Sequence, residues 1–145
     1  MSTAGSDPRR EMIRKKLAQC AGNPADANTS AAATVALWLQ ISARLVPVIG
    51  ARGVEVLFGR TLYLAGKSFS WLGGAADRGR GTPSIDVIRA RLGRQEAAVA
   101  AAASCEFLFV FAGLLATLIG DSLTDRLLGP VWVLALPPRE RENGL

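Results

Sequence analysis

Histidine is absent from the sequence, and that absence excludes more than any residue present. It removes imidazole acid–base catalysis, Ser-His-Asp and Cys-His nucleophile activation, and every histidine-containing metal site. Cysteine is nearly as scarce. Cys20 and Cys105 lie far apart and form no C-x-x-C pair, so neither a thiolate metal site nor a redox motif is written in the chain. An Ala/Leu-rich helical core needs no covalent staple, and two reduced, partly buried thiols are expected. Aromatic residues make up only 6% of the chain, and no segment sustains the period-2 alternation of β-branched and aromatic residues that marks strands. The first twenty residues are basic but lack the apolar core of a secretory signal, which predicts a cytoplasmic protein.

What the chain does have is helix formers, with 50% apolar residues rich in alanine and leucine. At 145 residues it is expected to fold as one domain with a substantial core. The expected fold is all-α: a compact bundle of four or five helices around a long hydrophobic C-terminal helix. Three regions are expected. Residues 1–28 read as a basic N-terminal helix and linker, 29–133 as the helical bundle, and 134–145, with Pro137-Pro138 and RERENGL, as a polar tail.

Taken in order, Ser6 or Asp7 can cap a first helix with Pro8 in its first turn. Its apolar stripe is Ile13, Leu17 and Cys20, with Arg9, Arg10, Arg14, Lys15 and Lys16 around the rest. Thr29 or Ser30 is the next expected N-cap. The following helix carries Val35, Trp38, Ile41 and Leu45 on one face and Gln40 and Arg44 on another, and Pro47 with Gly50 predicts a break. The pattern resumes from Arg52 with Val54, Leu57, Phe58, Leu62 and Ala65 inward. Phe69, Trp71 and Leu72 follow as a small aromatic patch for the core. Gly73–Gly81 is a glycine-rich connector. It lacks the Lys-Ser/Thr and the preceding strand of a phosphate-binding loop; Arg78 and Arg80, with Arg89 and Arg91 beyond, are candidates for anion contact there. Ile85, Ile88 and Leu92 mark a short helix, with Gly93 as its expected left-handed stop.

The organising stretch is Ala97–Gly120, interrupted by one formal charge, Glu106. As a helix it would be about 36 Å long, enough to cross a hydrocarbon layer of about 30 Å. A mid-span acid costs on the order of 2.5–3.5 kcal/mol, and each Leu, Ile, Phe or Val returns about 0.3–0.6, so insertion is near break-even. The pattern beyond the run favours a soluble bundle. Leu108, Phe111, Leu115, Leu118, Ile119, Leu123 and Leu127 read as one helical stripe that passes Asp121 and Asp125 without changing phase. Ala112, Gly113, Ala116 and Gly120 form a small face that a neighbouring helix can approach. Glu106 reads as structural, facing an arginine such as Arg44 or Arg60, or solvent. Charge is uneven: residues 44–94 are basic and the chain from Gln95 onward is acidic, so the two halves can attract each other within or between chains.

The pairing of Trp38…Arg44-Leu-x-Pro47-x-x-Gly50 with Leu118-Ile-Gly-x-x-Leu-Thr-x-Arg126-Leu-Leu resembles small Ala/Leu-rich bacterial proteins of unassigned function. The resemblance covers about half the chain and carries no activity; it implies a regulatory or adaptor role in a bacterial cytoplasm. No catalytic, metal or cofactor set is expected. The expected function is a non-enzymatic, self-associating interaction protein whose surface includes Phe107, Phe109, Val110, Phe111, Leu114, Leu118, Leu123, Leu127 and Trp132. Two alternatives stand beside it: a membrane protein spanning through 97–120, and a nucleic-acid or anionic-surface binder using Arg9–Lys16 and the arginines of 44–94.

Overall fold

The computed structural model describes residues 8–21, 26–73 and 85–133, and within them every regular element is a helix. The order is α1 (Pro8–Ala21), α2 (Ala27–Ala65), α3 (Ser70–Gly73), α4 (Ile85–Gly93), α5 (Ala97–Ile119) and α6 (Asp121–Val133). The polar tail from 134 and the glycine-rich connector with Arg78 and Arg80 lie outside the described residues. An all-α bundle around a long apolar helix is what forms: α5 is packed by α1, α2, α4 and α6.

The cap of α2 lies three residues before Thr29 and four before Ser30, the expected caps. Asp26 is the N-cap: its Oδ1 accepts from the Thr29 N–H at 2.8 Å, and Thr29 Oγ1 accepts from the Asp26 N–H at 2.8 Å, a reciprocal box. Thr29 is thus a partner in the box rather than the cap itself. The Thr29 backbone N–H bond, with its hydroxyl, holds the Asp26 carboxyl below the usual carboxylate range. Its stabilising contribution is complete above the ordinary carboxylate pKa of about 4 and is lost as pH falls through the lowered folded value. Asp26→Ala should therefore destabilise the protein at neutral pH. Asp26→Asn, which keeps an acceptor but cannot titrate, should retain most of the stability and flatten the acid limb of a pH–melting curve.

The break predicted in α2 occurs at Gly50, whose backbone sits at φ 84°, ψ 157°. Pro47 has no N–H to extend the ladder, and the glycine takes a conformation closed to other residues. The two segments then present Trp38, Ile41, Leu45 and Val54, Phe58, Leu62 to one core. Trp38 is its centre. Its ring lies 4.9 Å from Phe58, 4.9 Å edge-on from Phe111 and 5.8 Å from Phe107, and Phe58 meets Phe107 at 5.7 Å.

Three expectations are corrected. The apolar run and its continuation are two helices, not one: Gly120, at φ 95°, ψ 153°, ends α5 and re-phases the chain. Leu108, Phe111 and Leu115 are buried, but Leu118 is 60% exposed and Leu123 37%, while α6 turns Thr124, Leu128, Val131 and Trp132 inward. The stripe expected to run on past Asp121 is therefore broken at Gly120. Gly93 is not left-handed. It ends α4 where a side chain would meet Asn28 Oδ1 at 2.9 Å, so it marks close approach to α2. On α1 the inward residues are Ile13, Lys16 and Leu17, and Cys20 is exposed. The Lys16 side chain is only 2% exposed, and its Nζ donates to Gln19 Oε1 at 3.2 Å.

Candidate interaction surface

Of the residues expected on a surface, Phe107 and Phe111 are fully buried in the Trp38 cluster and Trp132 is buried on α6. They are core residues, because α2 and α6 occupy the sides of α5 that the sequence left unassigned. Phe109, Val110, Leu114 and Leu127 are half-buried, and only Leu118 and Leu123 are exposed. The exposed part of that surface is consequently the junction of α5 and α6 around Gly120.

Phe109 is covered by α1. The Arg10 guanidinium stacks 4.1 Å from its ring centroid, and Arg10 Nη1 donates to Glu106 Oε1 at 3.1 Å. Glu106 thus finds its arginine on α1, not Arg44 or Arg60, both of which are exposed. Arg9 Nη2 lies between Asp121 at 3.3 Å and Asp125 at 3.2 Å. Among the described residues the acids of α5 and α6 meet the first helix, not the basic middle of the chain. An open cleft of about 400 Å³ between α1 and α6 is lined by Pro8, Arg9, Met12, Asp121, Asp125 and Gly129. Glu11 bonds Arg14 within α1, and that bond lowers its carboxyl pKa.

These contacts engage cations that an anionic ligand would need. Arg9 and Arg10 are paired, Lys16 is buried, and Arg91 Nη1 donates to the Leu72 carbonyl at 2.8 Å. Arg89 remains exposed on α4. Cys105 is a free, buried thiol whose Sγ lies 3.9 Å from the Arg10 carbonyl, and burial raises its pKa. Among the described residues no three of Cys, Asp and Glu cluster as metal ligands.

An apolar surface also lies where sequence periodicity assigned none. Ala32, Ala36, Leu39, Ala43 and Val46 are all exposed along the first segment of α2. Their 4-3-4-3 spacing keeps them in one narrow arc, opposite buried Ile41. From Ala27 to Ala43 there is no charged residue. In the most apolar 18-residue window of α2 only 33% of the residues are buried, against 50% in α5. The legible signal is a helix apolar on two sides, of which the Trp38 face is the bulkier and dominates the pattern.

No protein-family model, no curated protein and no solved structure matches the chain.

Proposed function

We propose that this protein is a non-enzymatic helical interaction module that acts in a self-associated form and serves a larger regulatory partner. The observation that carries the reading is the α2 face: five exposed apolar residues in heptad spacing, four of them within a segment free of charge and the fifth, Val46, just past Arg44. A soluble surface normally interrupts such a seam with lysine or glutamate. Its alanines permit close backbone approach, and Leu39, 56% exposed, supplies the one large side chain at its middle. The α5–α6 junction, with Leu118 and Leu123, offers a second and separate apolar point for the regulatory partner. Size-exclusion chromatography with light scattering across a concentration series tests the reading. A mass near twice the 15.3 kDa of one chain is expected, falling to one chain in Leu39→Glu. A monomer at every concentration overturns it.

A second reading has its own observation. Both α2 and α5 are long and apolar enough to cross a bilayer, so membrane association would involve two helices rather than 97–120 alone. The Glu106–Arg10 pair would then enter or border the hydrocarbon, at a cost on the order of a few kcal/mol. High-speed sedimentation of lysate without detergent separates the two: full recovery in the supernatant removes the membrane reading.

A further inference from the structure

We infer that the occupant of the α2 face is the same face of a second copy, lying antiparallel, with the two-fold axis passing between Ala36 and Leu39. The inference rests on the self-association proposed above and specifies its geometry. A two-fold interface must be self-complementary. Along the arc the side chains run Ala32, Ala36, Leu39, Ala43, Val46. In a parallel pair Leu39 would face Leu39 and the alanine levels would be left open. In the antiparallel pair the Leu39 side chain of each copy sits against Ala36 of the other, and Ala32 comes beside Ala43. Large meets small, and the helices close to the distance that the alanines allow.

Charge points the same way. The neutral segment is bounded by Asp26 at its start and at its end by Arg44, which is exposed. A parallel pair places Asp26 by Asp26 and Arg44 by Arg44. The antiparallel pair brings the acidic end of each helix to the basic end of the other, and it also opposes the two helix dipoles. Gly50 bends the chain beyond the contact, so the paired length is Ala27–Ile49, about 34 Å. A contact confined to one mostly alanine-lined helix face is small, and the dimer is expected to dissociate on dilution.

Single-cysteine variants Ala32→Cys and Ala43→Cys, made in a Cys20→Ser chain, test the orientation by oxidative crosslinking and non-reducing electrophoresis. Cys105 is buried in every variant. Eleven helical residues separate the two positions, about 16 Å along the axis, well outside disulfide range. A crosslinked dimer is expected when the two variants are mixed and not from either alone. Light scattering on the same samples keeps the two ideas apart: absence of any dimer defeats self-association itself. A dimer whose variants each crosslink with themselves shows a parallel pair. A dimer that crosslinks in no combination places the contact elsewhere. Cosedimentation with phosphatidylcholine vesicles that is lost in Leu39→Lys would make the face a bilayer contact. Each of these three results overturns the antiparallel assignment.

Discussion

Trp38→Ala is expected to lower the melting temperature by on the order of 10 °C, the largest effect of any single truncation in the core. The indole contacts Phe58 on the second segment of α2 and Phe107 and Phe111 on α5. It therefore ties the two sides of the Gly50 break to each other and both to the central helix. Removing it forfeits the transfer energy of a large aromatic group and leaves a void among three rings, about 3–5 kcal/mol together. Trp38→Phe keeps most of the contact area and should recover more than half of the loss. Calorimetry on the three proteins checks the order. An alanine variant melting within about 3 °C of the parent would show that the cluster is not the keystone of the core.

The second large effect concerns Gly50. Its backbone lies at φ 84°, and a Cβ at this position would meet nothing within 4 Å, so an alanine is opposed by conformation alone. Gly50→Ala is expected to cost about 1–3 kcal/mol, measured by urea unfolding. Gly113 supplies the control. It too has nothing within 4 Å, but it sits in regular α5 backbone, so Gly113→Ala should stabilise by about 0.5–1 kcal/mol. Opposite signs at two equally open glycines would separate backbone strain from packing. A neutral or stabilising Gly50→Ala would mean that α2 can straighten without loss.

Much of the fold was legible because local chemistry and tertiary packing agree in these segments. Pro47 with Gly50 announced the α2 break, and Val54, Phe58, Leu62 and Ala65 went inward as their spacing indicated. The end of the apolar run misled because Gly120 satisfies either reading in one dimension. As part of a helix it continues the leucine stripe; at φ 95° it resets the phase and brings Thr124, Leu128 and Trp132 to the core instead. The surface was harder to read still. Which flank of α5 stays open depends on where α1, α2 and α6 dock, and periodicity within one helix cannot tell Phe107 and Phe111, buried, from Leu118, exposed. The partner of Glu106 is set by long-range topology: Arg10 lies 96 residues away, and nothing in its neighbourhood marks it over Arg44 or Arg60. The α2 face was missed for a different reason. Alanines contribute little to an apolar stripe by bulk, so a seam built mostly of them is quiet until the other face is seen to be occupied.

The contacts of α1 also dictate an order of assembly during synthesis. Arg10 meets Glu106 across 96 residues, and Arg9 meets Asp125 across 116. At about 5–20 residues per second, a ribosome leaves α1 without those partners for roughly 5–20 s. In that interval α1 can meet only α2, while α2 can already fold against its own second segment and α4. The ion pairs of α1 are therefore complete only once α6 has been made. A chain stalled before α5 would lack the acids that pair with Arg9 and Arg10, leaving these two to ribosomal RNA or chaperones.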